Sequence, residues 1–212
     1  MNLISGDEKS FAVFDDFLPP ETLRQVWGAF ATETMSFVQS GVWRRAFKLT
    51  DGNPLCGTGV LYGHPEPPDL RLTFPTDRPI DLVIEALLRC RDDLAPWVGL
   101  EGFDWEFMSA TPYIYPVGSG LSWHEDTAGR SGSFVLYVHP EWQVDWGGEL
   151  LVGSDNGTGA YVGPRPNRLV VIKSGVHHCI KKVDISAGSN VRASVTGFFQ
   201  RIQSTQIPHQ ER

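Results

Sequence analysis

Three short stretches of this chain carry residue types whose spacing suits chemistry. In LSWHEDTAG, His124 and Asp126 stand two positions apart. Alternate side chains of a strand leave the same face, so this imidazole and this carboxylate can reach one ion. Such a pair also occurs in exposed turns and needs another ligand to hold a metal. Downstream, RLVVIKSGVHHCIKKV runs an apolar strand through a Ser-Gly turn into two adjacent histidines, His177 and His178. Adjacent side chains on extended backbone point oppositely, so only one of the two can face the same ion, and spacing within this segment leaves open which.

Two imidazoles and one carboxylate on one face of an octahedron leave the opposite face open, the arrangement that non-haem iron(II) oxygenases use. The third stretch is NVRASVTGFF, where Arg192, Ser194 and Thr196 alternate with Val191, Ala193 and Val195. If the polar face looks inward, Arg192 is a buried cation, which costs several kcal/mol unless paired. No acidic residue stands beside it in sequence, whereas a dicarboxylate would meet its guanidinium in bidentate geometry. The segment fits equally an arginine facing solvent on an edge strand.

These residues need a strand-rich frame, and the second half of the chain supplies one. From Trp105 onward, β-branched and aromatic runs are separated by Gly, Pro and Asn, which predicts strands over 105–114, 120–126, 132–138, 148–152, 168–173 and 191–200. The first half reads differently. FAVFDD predicts a short strand, and after Pro19-Pro20 the residues Leu23, Val26, Trp27 and Phe30 recur at helical spacing. Residues 80–94 repeat that pattern with Val83, Ile84, Leu87 and Leu88, while the Gly- and Pro-rich 51–79 reads as a long irregular connection able to shape a substrate pocket. Helices first and strands later indicate an α+β fold with a sandwich core.

Together the motifs resemble the prolyl 4-hydroxylase-like branch of the 2-oxoglutarate/Fe(II)-dependent oxygenase superfamily. VFDDFLPPETL is similar to the family's opening strand and helix, Tyr115 in YIYPVGSGLSWHED to the tyrosine ahead of its metal pair, and FVLYVHPEWQVDWGGELLV to its strand and Trp-Gly-Gly-Glu-Leu turn. In the family the distal histidine precedes aliphatic residues two and five positions on. Counting from His178 gives Ile180 and Val183, whereas counting from His177 gives Cys179 and Lys182, so the resemblance selects His178. Arg192-Ala-Ser194-Val-Thr-Gly197-Phe198 looks like the co-substrate strand, with Phe198 where Trp is common and a slightly long approach through DISAGSN.

The resemblance implies a double-stranded β-helix (jelly-roll or cupin-like) core flanked by N-terminal helices. One oxygenase domain would span 1–212: a helix-rich part over 1–100, a jelly-roll core with the metal site over 101–202, and a tail over 203–212. It also implies Fe(II) held by His124, Asp126 and His178, 2-oxoglutarate held by Arg192 with Tyr115, Ser194 and Tyr113, O2 as oxidant, and ascorbate as reductant in vitro. The activity implied is hydroxylation of an unactivated C–H bond in an amino-acid-like, peptidyl or natural-product substrate, with release of succinate and CO2. Desaturation or cyclisation from the same machinery, a cupin-like metalloenzyme without 2-oxoglutarate, and a non-catalytic binding module are the alternatives. The intact Asp126 argues against the halogenating relatives.

Bland roles suit the remaining candidates. Asp145, Glu149 and Glu125 read as surface or supporting carboxylates, Trp123, Trp142 and Trp146 as core packing, His64, His139 and His209 as loop residues, and Cys179 as a small buried filler. Arg130 could meet an anionic part of a substrate. The 40–48 segment holds the one basic cluster, Arg44-Arg45 with Lys48, which reads as a solvated surface or a substrate-facing lip.

Composition narrows the rest. The net charge of −7 gives no reason to expect nucleic acid, and 41% hydrophobic residues provide for a real core. No apolar run is long enough to cross a bilayer, and the N-terminus does not read as a signal peptide. Three widely spaced cysteines, Cys56, Cys90 and Cys179, suggest no disulfide framework, hence a reducing, cytoplasmic setting.

Overall fold

A computed structural model describes residues 1–7, 9–38, 47–64, 71–127, 129–154 and 157–201. The first hundred residues form β1 (Asn2–Asp7), β2 (Phe11–Asp15), α1 (Pro20–Phe30), β3 (Ser36–Phe37), β4 (Leu55–Cys56), β5 (Val60–Tyr62), β6 (Leu72–Thr73), α2 (Asp81–Arg89) and α3 (Arg91–Val98). Then follow β7 (Phe107–Tyr115), β8 (Leu121–His124), β9 (Arg130–Tyr137), β10 (Leu150–Gly153), β11 (Gly159–Val162), β12 (Leu169–Lys173), β13 (His178–Ile180) and β14 (Arg192–Gln200).

Two layers face each other, antiparallel throughout except for the parallel β5–β6 pair. In the larger, the order is β1-β2-β12-β9-β14-β7-β4-β3, with β5 beside β7 and β6 paired to β5. The smaller is β11-β10-β13-β8. From β7 onward the chain passes back and forth between β12-β9-β14-β7 and β11-β10-β13-β8, with β10 and β11 forming a hairpin inside the smaller sheet, and this is a double-stranded β-helix.

Period-2 alternation sorts the larger sheet's residues into two cores. Phe134, Leu136, Leu169, Val171, Ala193 and Val195 point outward and are covered by Val26 of α1, Val83 and Leu87 of α2, and Leu94 and Val98 of α3. Val135, Tyr137, Val170, Ile172, Tyr113 and Tyr115 point inward against Leu150, Val152 and Ile180 of the smaller sheet. Arg192 and Ser194 share that inner face and are fully buried, so the edge-strand placement of Arg192 is excluded.

Several sequence expectations need correction. The helix expected over 80–94 is two, broken at Cys90, whose ψ of 15° turns the chain so that α3 can bring Leu94, Trp97 and Val98 onto the same core. Residues 51–79 hold three short strands rather than only irregular chain, because β4 and β5 complete the ladder of β7. The predicted 120–126 strand stops at His124, leaving Asp126 beyond its end. Strands β1, β11 and β13 are short or exposed and were not marked by hydrophobic alternation. Residues 39–46, most of the segment carrying the basic cluster, and residues 202–212, including His209, lie outside the described residues.

Candidate metal centre

The ladder between the smaller sheet's β8 and β13 pairs His124 directly with His178. Backbone pairing therefore brings together two imidazoles 54 positions apart in sequence, with ring centroids 4.2 Å apart. Asp126 joins them from the turn after β8. Its carbonyl accepts from Ser174 Oγ and from the Gly175 amide, both at 3.0 Å, which ties it to the turn leading into β13. One ligand atom from each of His124, Asp126 and His178 lies within 4.8 Å of the others, leaving an ion-sized gap between three donors.

Ring tautomers follow from the backbone. His124 Nδ1 is 2.8 Å from the Ser122 carbonyl and His178 Nδ1 is 2.8 Å from the Val176 carbonyl. A carbonyl only accepts, so Nδ1 carries a proton in both rings, and Nε2 is the nitrogen left to offer a lone pair to a metal. Burial, together with the neighbouring His124, lowers the pKa of His178 to about 4 and keeps it neutral. Asp126 Oδ2 lies 3.6 Å from His178 Nε2, while Oδ1 accepts from Arg130 Nη1 at 2.6 Å. The donor set, two imidazoles and one carboxylate oxygen, fits a divalent transition metal such as iron(II).

Deeper in the barrel, Arg192 Nε donates to the Gly148 carbonyl at 2.9 Å and Nη2 to the Tyr137 hydroxyl at 3.3 Å. Its guanidinium lies 4.9 Å from the Tyr115 ring centroid and 4.8 Å from that of Tyr137. Arg192 Nη1 is buried without a partner, and among the described residues only Arg130 Nε shares that condition. A buried guanidinium with no carboxylate against it among the described residues, and with one idle donor, fits an anionic ligand.

The other expected co-substrate residues are placed unequally. Tyr115 is the ladder partner of Arg192, Tyr113 that of Ser194, and all share the inner face. Burial pushes both phenols well up, so each remains an O–H donor. Tyr113 also stacks on Phe47 at 6.4 Å, and Ser194 Oγ is 3.4 Å from Thr196 Oγ1.

Sequence reasoning missed Tyr137. Its signal was the alternation Val135, Tyr137 within FVLYV, which sets it on the inner face. It also missed what the Gly147-Gly148 turn does: Gly148, at φ 73°, brings its carbonyl to Arg192, and an added Cβ would stand 3.0 Å from Arg192 Cδ.

Two bland readings change, and Arg130 acquires defined contacts. Trp123 is 44% exposed and rests on exposed His177 at 4.9 Å, outside the core. His139 is buried rather than a loop residue, with Nε2 2.7 Å from the Pro164 carbonyl. Arg130 contacts Asp126, and its guanidinium lies 3.7 Å over the Phe198 ring.

Comparison with known proteins bears on the family and the fold. Residues 110–200 match the family model described as the 2OG-Fe(II) oxygenase superfamily. No curated protein sequence matches the chain. Among solved structures, a Pseudomonas putida prolyl-4-hydroxylase is 21% identical, with a TM-score of 0.63 over 91% of this chain and 92% of that one. A Trichoplax adhaerens prolyl hydroxylase, solved in complex with a hypoxia inducible factor peptide fragment, is 19% identical with a TM-score of 0.63 over 90% and 83%. A Burkholderia pseudomallei oxidoreductase of the 2OG-Fe(II) oxygenase family is 13% identical with a TM-score of 0.63 over 94% and 93%. The likeness to these three is one of fold.

Proposed function

We propose that this chain, recognised through its double-stranded β-helix and through residues 110–200 as related to the 2OG-Fe(II) oxygenases, is a 2-oxoglutarate- and Fe(II)-dependent dioxygenase. Its substrate is an amino-acid-like, peptidyl or natural-product molecule hydroxylated at an unactivated C–H bond. The observation that carries this reading is the idle Nη1 of fully buried Arg192, inside a barrel whose two histidines and one aspartate converge. That arrangement favours this reading over a metalloenzyme that binds only its substrate.

His124 Nε2, His178 Nε2 and Asp126 Oδ2 would hold the iron. Bound there, iron(II) supplies the oxidising chemistry, with O2 as oxidant and 2-oxoglutarate leaving as succinate and CO2. The chain's own residues position and enclose. Arg192 pairs with the distal carboxylate of 2-oxoglutarate through its free donor, Tyr137 adds a hydroxyl beside it, and Tyr115 walls the subsite with Tyr113 and Ser194 nearby. Val135, Leu150, Val152 and Ile180 line the barrel and keep water from the reacting centre. One oxygenase domain, with its three free thiols in a reducing cytoplasm, is part of the same proposal.

Proline-containing peptides are the first substrates to try, since two structures of the same fold are prolyl hydroxylases, one of them in complex with a peptide fragment. Purified protein with Fe(II), ascorbate, 2-oxoglutarate and such peptides, or free amino acids, is expected to form succinate. Asp126→Ala is expected to abolish it, and full activity in that variant would contradict the proposal.

A further inference from the structure

Each candidate ligand needs something to fix its donor atom. The two rings are fixed by backbone carbonyls, at Ser122 for His124 and Val176 for His178. Asp126 lies past the end of β8 and has no ladder to hold it. Its side chain is held instead by Arg130, four residues on, through the 2.6 Å bond from Nη1 to Oδ1. That bond is charge-assisted and short, and it occupies one carboxylate oxygen while leaving Oδ2 turned toward His178 Nε2.

Arg130 is itself held flat. Its amide donates to the Thr127 carbonyl at 3.1 Å, closing the turn, and its guanidinium lies 3.7 Å over the Phe198 ring. Nε gains nothing from this arrangement, being buried without a partner. An arginine optimising its own hydrogen bonds would not leave a donor so placed, because an unmet buried donor costs free energy. Its placement follows the carboxylate and the ring.

We infer that Arg130 is a positioning residue for the metal: it restrains Asp126 to one-oxygen coordination through Oδ2 and preorganises the three donors before an ion arrives. This rests on the iron-site reading above and adds a fourth residue to it. Supporting partners of this kind change metal affinity by about 10–100-fold.

Mn(II) binding to the metal-free full chain, without 2-oxoglutarate or substrate, tests it. Free Mn(II) is followed by its EPR signal, and thermal unfolding of each metal-free variant is recorded alongside. Arg130→Ala is expected to weaken Mn(II) binding by about tenfold or more. Arg130→Lys keeps the charge but lacks the planar fork that holds bond and ring contact together, so a loss of about threefold or more is expected. The control Glu125→Gln, at an exposed position, should bind as wild type does. Unchanged or tighter Mn(II) binding in Arg130→Ala overturns the inference. Should that variant fail to fold, wild-type affinity in Arg130→Lys overturns it equally. Failure of wild-type protein to bind Mn(II) would bring down the iron site as well, so the two failures are distinguishable.

Discussion

Tyr137 and His139 show how two residues on the same run take different work. The Tyr137 hydroxyl meets Arg192 Nη2, so Tyr137→Phe keeps the buried ring and removes one hydrogen bond beside the proposed co-substrate carboxylate. We expect about a fivefold weaker affinity for 2-oxoglutarate, measured by calorimetry, with little change in stability. His139 is buried and neutral, and burial lowers its pKa to about 4. The unfolded chain, titrating near 6.5, binds more protons between these values, so stability falls as pH drops from 6.5 toward 4 and is level above 6.5. Over that window wild type should lose up to about 3 kcal/mol more than His139→Gln in urea unfolding. Equal acid slopes would contradict this. From the residues alone, the His124–Asp126 pair and Arg192 could be picked out as unusual types in strand-like runs, while the choice of His178 over His177 came from the family resemblance. Tyr137 could not, since its value lies in standing beside Arg192 across two strands.

The same limit applies to elements. Long alternating strands such as β9, β12 and β14 were legible within one or two residues, because each buries two faces and carries a strong apolar pattern. β13, three residues long, and β11, largely exposed, gave no such pattern and exist because the ladder of β10 needs partners. The ligand pairing His124 with His178 depends on β13, so the element least visible in sequence sets the site's register. Gly197 in β14 shows how tightly that frame is packed: a Cβ there would collide with the Ser109 carbonyl of β7 and stand 2.6 Å from the Phe134 ring. Gly197→Ala should lower the urea midpoint by the equivalent of about 3 kcal/mol or fail to fold. Wild-type stability in that variant would mean β7 and β14 can separate more freely than their ladder suggests.

At the scale of the molecule, the first hundred residues are not an appendage. Strand β2 pairs with β12, one strand in from the edge that β1 forms, and Asp15 at its end accepts from Arg168 at 2.7 and 2.9 Å and from Arg165 at 3.0 Å. Arg168 in particular lowers the Asp15 carboxyl below its usual value. Helices α1, α2 and α3 cover Phe134, Leu136, Val171 and Val195, all from the second half. One cooperative unfolding transition is therefore expected, and a fragment beginning at residue 101 should not fold, since it would expose that entire apolar face. Two separate transitions by calorimetry would contradict the single-domain proposal.

The central claim is that this barrel binds 2-oxoglutarate through a metal at one end and Arg192 at the other. Calorimetric titration of 2-oxoglutarate into wild type, Asp126→Ala and Arg192→Ala, each with and without redox-inert Mn(II), tests both ends without needing the substrate. We predict one-to-one binding in wild type only when metal is present, with loss of at least about tenfold in either variant. Absence of binding in wild type, or undiminished binding in Arg192→Ala, would contradict it.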